Sequence, residues 1–74
     1  MKEKVFALLQ QELPHIDFTA DAELVSDGNL DSLSVTTIIS LLSMEFGVTV
    51  PYEEIIDENF NSVDAIAALV ERLG

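Results

Sequence analysis

Apolar residues recur along the first part of this chain at the 3.6-residue period of an α-helix. Over residues 2–13 they lie close to one stripe, which consists of Val5, Phe6, Leu8, Leu9 and Leu13. Pro14 ends this segment, because proline disfavours helical geometry in the preceding residue and has no N–H to donate. The pattern therefore predicts a first helix that packs one face against a core.

A second helical period covers residues 32–46. Its inward stripe consists of Val35, Ile38, Ile39, Leu42 and Phe46. Asp31 is suited to cap the N-terminus of this helix, and Gly47 supplies the left-handed residue that commonly ends one. These local signals predict both ends of the second helix.

The C-terminal part of the chain predicts two more helices. Pro51 opens a short helix through residues 52–56, whose acidic residues lie at the favourable N-terminal end. The last helix spans residues 62–73, with Ser62 favoured over Asn61 as its N-cap. Its buried stripe consists of Val63, Ile66, Ala67, Val70 and Leu73.

A long connection, residues 15–31, separates the first two helices. Loops of this length in small domains are usually functional or disordered. Five apolar residues argue against disorder and predict a loop that packs over the helices: Ile16, Phe18, Leu24, Val25 and Leu30. The sequence thus predicts an all-α fold in one domain, residues 1–74, with three main helices and one short helix.

The charge of the chain limits its partners. The chain has three basic and fourteen acidic residues, which give it a net charge of −11. This charge repels nucleic acid and anionic membranes and attracts basic protein surfaces. The acids gather in two groups, Asp17, Asp21, Glu23 and Asp27 in the loop and Glu53, Glu54, Asp57 and Glu58 near the short helix. No apolar run approaches membrane-spanning length, and we expect a monomer in the cytoplasm.

One serine stands out by its position. Ser32 follows a glycine turn at Gly28 and the capping residue Asp31, and it begins the second helix. The unpaired N–H groups of a first helical turn carry a partial positive charge, which favours an anion attached there. Ser32 is therefore well placed to carry a phosphodiester, although serine is also common as an ordinary residue near helix N-termini.

Other chemistry is less well supported by the sequence. The chain has no cysteine, so thiol chemistry requires an attached group, and its one histidine, His15, lies in the loop beside Pro14. Without a Gly-x-Ser-x-Gly motif, Ser32 is a poor candidate for a hydrolase nucleophile, and we expect no catalysis. The spacing of the loop acids lacks the glycine and glutamate of a calcium loop, which predicts no metal site. Met44, Tyr52 and Phe60 are expected to pack in the core or at its rim.

Several short motifs together resemble the acyl and peptidyl carrier proteins. They are Asp31-Ser32-Leu33 after Gly28, Phe46-Gly47-Val48 at the end of the second helix, Val50-Pro51 before the short helix, and Ser62-Val63 at the start of the last helix. The resemblance covers nearly the whole chain. It implies an acyl-carrier-protein-like bundle that is not an enzyme.

The resemblance also implies a cofactor and partners. A phosphopantetheinyl transferase would move 4'-phosphopantetheine from coenzyme A onto Ser32, with Asp31 contacting the transferase and Leu33 as the exposed apolar residue beside the arm. An adenylating ligase or acyltransferase would then load cargo on the terminal thiol as a thioester. A downstream acceptor enzyme would remove that cargo.

The second helix departs from fatty-acid carriers. Ser34, Thr37 and Ser43 stand where those proteins usually have acids, and Thr36 and Ser40 stand where they have apolar contacts. We therefore expect a specialised pathway, and the run from Gly28 to Ser32 is similar to the D-alanyl carrier subfamily. The residues expected to dock partners are Thr36, Ser40, Glu53, Glu54 and Asp57.

A second hypothesis from a different class remains open. An unmodified, acidic helical adaptor could bind one basic partner protein through its loop and its short helix. Attachment of phosphopantetheine at Ser32 separates the two hypotheses.

Overall fold

The computed structural model describes residues 1–19 and 23–74, and within them the chain is helical with no strand. The elements are α1 (Lys2–Glu12), α2 (Ser32–Phe46), a 3-10 turn (Tyr52–Glu54), α3 (Asp57–Phe60) and α4 (Val63–Leu73). The predicted all-α bundle, with three main helices and a short one, is confirmed. No helix in the described part of the chain is long and apolar enough to cross a membrane.

The core lies around α4, which contacts α1 on one side and α3 on another. Val5 and Leu9 of α1 are completely buried. On α4 the buried residues are Val63, Ile66, Ala67, Leu69 and Val70. The predicted stripe omitted Leu69 and included Leu73, which is only half-buried. The buried face is wider than one stripe because α4 packs against two neighbours.

Both ends of α2 and the start of α4 agree with the sequence predictions, because the caps there are local. The Asp31 carboxylate accepts a hydrogen bond from the Ser34 N–H at 2.8 Å, and Gly47 has a φ of 69°. The Ser62 hydroxyl accepts one from the Ala65 N–H at 3.0 Å. Ser62 rather than Asn61 is therefore the N-cap of α4.

The predicted position of the short helix, residues 52–56, is wrong. The chain forms the 3-10 turn, breaks at Ile55 and Ile56, and begins α3 only at Asp57. The Glu54 carbonyl, which a continuing helix would use, accepts hydrogen bonds from the Asn59 side chain at 2.7 Å and the Ile56 N–H at 3.0 Å. Ile56 is extended, with φ −128° and ψ 154°, a conformation that β-branched residues readily adopt.

The long loop packs over the helices, as its apolar residues predict. Ile16, Phe18, Leu24 and Leu30 are buried, and Val25 is half-buried. The acidic loop residue Asp21 lies outside the described residues. The loop thus contributes to the core instead of extending from it.

Asn61 joins the loop to the junction between α3 and α4. Its carbonyl accepts a hydrogen bond from the Leu24 N–H at 2.8 Å, and its side-chain oxygen accepts from the N–H groups of Val25 and Ser26 at 2.9 and 3.0 Å. Its amide nitrogen donates to the Ser26 hydroxyl at 3.2 Å. One side chain therefore holds the segment that leads towards Ser32.

The prediction that Met44 and Tyr52 pack in the core or at its rim is wrong. Their side chains are 83% and 86% exposed, whereas Phe60 is 1% exposed and belongs to the core. Met44 is an exposed residue of α2, and no residue of the 3-10 turn, which the structure describes in full, is buried.

Candidate functional site at Ser32

Ser32 is the first residue of α2 and is exposed to solvent. Gly28 turns the chain before it with a φ of 86°, a conformation that suits glycine, and its N–H donates to the Val25 carbonyl at 3.1 Å. Leu30, two residues before Ser32, is 1% exposed, and its N–H donates to the Leu24 carbonyl at 2.9 Å. The serine is thus accessible while the chain on both sides of it is held in place.

The Asp31 carboxylate stays ionised at neutral pH. The hydrogen bond from the Ser34 backbone N–H, followed by one from the Ser34 hydroxyl, holds the pKa of this carboxyl below its usual value. An exposed negative charge therefore stands directly before Ser32. A basic enzyme surface that approaches the serine meets this charge first.

A cleft of about 280 Å³ opens beside Ser32 between the start of α2, the loop and the segment around α3. Its apolar lining consists of Val25, Val35, Ile39, Ile55, Ile56 and Phe60. Its polar lining consists of Asp31, Ser32, Thr36 and Asp57. A group attached to the Ser32 oxygen has an apolar surface within immediate reach.

The outer face of α2 carries the two hydroxyl residues expected to dock partners. Thr36 and Ser40 are both exposed, and Leu33 is 74% exposed, as the resemblance implies. The Thr36 hydroxyl donates to the Ser32 carbonyl at 2.9 Å, and Thr37 donates likewise to the Leu33 carbonyl at 3.0 Å. Because those hydrogens are engaged in the helix, this face offers fewer donors than its sequence suggests.

The acidic residues expected to dock partners differ in their surroundings. Glu53 and Asp57 are exposed, and Asp57 lines the cleft. The side chain of Glu54 is 34% exposed, and its carboxylate accepts hydrogen bonds from Arg72 at 2.8 Å and from Asn59 at 2.9 Å. Glu54 therefore has a structural contact that Glu53 lacks in the described bonds.

Two residues at this site were not predicted from the sequence. Asn61 holds the loop, and Arg72 contacts Glu54 from α4. Arg72 is the one cation outside the first four residues, a signal that could have indicated a specific acidic partner. Asn61 precedes the cap Ser62, and its sequence position indicates only a competing cap.

No group of three or more histidine, cysteine, aspartate or glutamate side chains in the described ranges could hold a metal ion. The fit to phosphopantetheine depends on a different chemistry, a hydroxyl that can form a phosphodiester. Ser32 meets that requirement, since it is exposed at a helix N-terminus with the cleft beside it.

Residues 3–70 match a family model described as the phosphopantetheine attachment site. The chain belongs to this family of acyl and peptidyl carrier proteins. Aminoacyl carrier protein 1 of Bradyrhizobium diazoefficiens is similar, with 35% identity over 66 residues that cover 89% of this chain and 72% of the relative. No solved structure matches the chain.

Membership in the family establishes the general role of this carrier protein. Its cofactor is phosphopantetheine, which is bound covalently to a serine. The carrier is not an enzyme, and it works with phosphopantetheinyl transferases and with enzymes that load and accept cargo.

Proposed function

We propose that Ser32 is the attachment site of 4'-phosphopantetheine, with Asp31 contacting the transferase and Leu33 as the exposed apolar residue beside the arm. The exposure of this serine at the N-terminus of α2 carries the proposal. In the attachment reaction the Ser32 oxygen would form a bond to the phosphorus that carries the pantetheine arm, while the P–O bond within the diphosphate of coenzyme A breaks. Adenosine 3',5'-bisphosphate would leave, and the serine hydroxyl proton would be released. The first-turn N–H groups of α2 stabilise the resulting phosphodiester by about 0.3–1 kcal/mol.

Intact mass spectrometry tests this assignment. The protein is incubated with coenzyme A, magnesium and a broad-specificity phosphopantetheinyl transferase, and we expect a mass gain of one phosphopantetheine. Ser32→Ala removes the gain without unfolding the domain, whereas Ser43→Ala, at an exposed serine of the same helix outside the proposed docking surface, retains it. If several transferases produce no gain, the adaptor hypothesis is favoured.

We infer that the cargo is an amino acid or another specialised acyl group rather than a growing fatty acid. The exposed face of α2 from Ser32 to Met44 has no charged residue, although the chain carries a net charge of −11. The relative named an aminoacyl carrier protein and the D-alanyl-carrier-like run from Gly28 to Ser32 support the same inference. An adenylating ligase or acyltransferase would load the thiol, and an acceptor enzyme would take the cargo.

The cargo can be read from protein isolated from its native cells. We expect an intact mass above that of the phosphopantetheinylated form by one aminoacyl or short acyl group, and treatment with hydroxylamine should remove it as expected for a thioester. A series of masses separated by two-carbon units would contradict a specialised role. We further propose that residues 1–74 form one carrier domain that is monomeric and cytoplasmic, which size-exclusion chromatography and cell fractionation can test.

The proposed docking surface surrounds Ser32. It comprises Thr36 and Ser40 on α2 together with Glu53 and Asp57 near the cleft, while Glu54 contributes through its contact with Arg72. Docking is expected to be weak, because a carrier must leave each enzyme before it reaches the next. The exposed acids would mainly affect the association rate with basic surfaces.

A further inference from the structure

Residues 52–56, which include part of the wall of the cleft opposite α2, have little apolar support of their own, although Phe60 in the same lining is buried. Ile55 and Ile56 line the cleft, and their side chains are 41% and 47% exposed. The 3-10 turn that precedes them, Tyr52–Glu54, contains no buried residue among its three described positions. Between the buried residues Val50 and Phe60, the position of this segment therefore depends strongly on hydrogen bonds.

Glu54 is the centre of those hydrogen bonds. The Asn59 amide donates to the Glu54 carbonyl at 2.7 Å and to its carboxylate at 2.9 Å. The Arg72 Nη2 atom donates to the same carboxylate at 2.8 Å and lies 3.4 Å from the Asn59 side-chain oxygen. Arg72 thus ties the end of α4 to the residue directly before Ile55.

This contact joins distant parts of the chain at an otherwise acidic surface. Arg72 lies 18 residues from Glu54 in sequence, and its side chain is 50% exposed. Bonds within the segment, such as Ile55 N–H to the Tyr52 carbonyl at 3.1 Å, fix its local shape. Val50 and Phe60, which are buried on either side of the segment, anchor its two ends, and the Arg72 contact is the bond that joins Glu54 within the segment to α4.

We propose that Arg72 is a positioning residue that acts through Glu54 to hold the Ile55–Ile56 wall beside Ser32. The environment of a group attached to Ser32 then depends on this ion pair and becomes sensitive to salt. The salt-sensitive environment of the attached group is the second half of the proposal, and it rests on the proposed function because it requires a group on Ser32. The positioning of the Ile55–Ile56 wall by Arg72 is the first half, which concerns the unmodified protein and stands independently.

Hydrogen exchange in the unmodified protein tests the first half. Arg72→Met keeps an extended apolar side chain and removes the donor, and we expect the Ile55 and Ile56 amides to exchange about 1.5- to 5-fold faster. Arg72→Lys should recover at least part of the protection, because a single nitrogen of Arg72 makes both contacts. Unchanged exchange in Arg72→Met overturns the proposal.

Asp64→Asn is the matched control. It breaks the second ion pair of α4, in which Lys2 lies 2.9 Å from Asp64, at residues that do not line the cleft. We expect no change in exchange at Ile55 and Ile56. An equal acceleration in Asp64→Asn would show a general loosening of α4 and would overturn the specific role of Arg72.

A fluorescent label tests the second half. A transferase attaches pantetheine carrying a solvatochromic fluorophore from the corresponding coenzyme A derivative. We expect red-shifted emission in Arg72→Met relative to the wild type, and a shift of the wild type towards the variant in 1 M salt. Identical spectra would overturn the link between Arg72 and the attached group, whereas failure to label Ser32 would contradict the proposed function and leave the exchange result valid.

Discussion

Asn61→Ala is expected to loosen the loop that leads to Ser32. The substitution removes the acceptor of the Val25 and Ser26 N–H groups, at 2.9 and 3.0 Å, and the donor to the Ser26 hydroxyl at 3.2 Å. Val25 is half-buried, so leaving its N–H without a partner costs about 1–3 kcal/mol. Ser26 is exposed, so its N–H can bond to water instead, and the free-energy cost of losing its bond to Asn61 is smaller.

Together these losses amount to about 2–3 kcal/mol. A domain of this size has a free energy of unfolding of about 4–11 kcal/mol, so the variant loses a large part of its stability. For domains of this length 1 kcal/mol lowers Tm by about 4–8 °C, and we expect a drop of about 10–20 °C.

Thermal unfolding followed by circular dichroism measures the drop in Tm, and hydrogen exchange at the Val25 amide locates the change. Ser26→Ala is the control, because it removes the longest of the three side-chain bonds at an exposed residue and should change stability by less than about 0.5 kcal/mol. A Tm of Asn61→Ala within 2–3 °C of the wild type, a range of about 0.5 kcal/mol, would refute the assigned role of Asn61.

Three further changes give separate tests. Gly28→Ala meets no atom within 4 Å but retains a φ of 86°, so urea unfolding should show a loss of about 1–2 kcal/mol. The pKa of the Asp31 carboxyl is lowered in the folded state, so this carboxylate stabilises the fold above the usual aspartate pKa, and the stabilisation is lost as pH falls through the folded-state pKa. The difference in free energy of unfolding between the wild type and Asp31→Asn should therefore shrink as the pH is lowered from 7 into the acid range. Glu53→Lys should slow phosphopantetheine attachment by a transferase with a basic surface at low salt and have little effect at high salt, and equal rates at both would remove Glu53 from the docking surface.

The boundaries of α2 could be predicted because their causes are adjacent in sequence. Asp31 and Gly47 satisfy the backbone groups at the two ends of the helix, and both types of cap are recognisable from residue identity. The position of Ser32 at the helix start followed directly. The exposure of this serine also depended on the burial of Leu30, which the apolar pattern of the loop indicated.

The segment after Pro51 could not be predicted in the same way. Acidic residues after a proline suggest a helix start, but the Asn59 side chain bonds back to Glu54 and ends the turn. The contacts of Arg72 and Asn61 join residues that are 18 and 36 positions apart, and no periodic pattern reports them. Side-chain contacts across the fold therefore determine one wall of the candidate site, whereas local caps determine the other.

The burial of Leu30 just before the exposed Ser32 has a consequence for delivery of the thioester. With the arm on Ser32, as proposed, its pivot would be anchored in the core through Leu30 and through α2, so residues 23–31 would add almost nothing to the distance that the cargo can travel. The flexible arm alone sets that reach. To serve enzymes farther apart than the arm can span, the carrier domain, with a radius of gyration of 10.8 Å, would have to leave one enzyme before it binds the next.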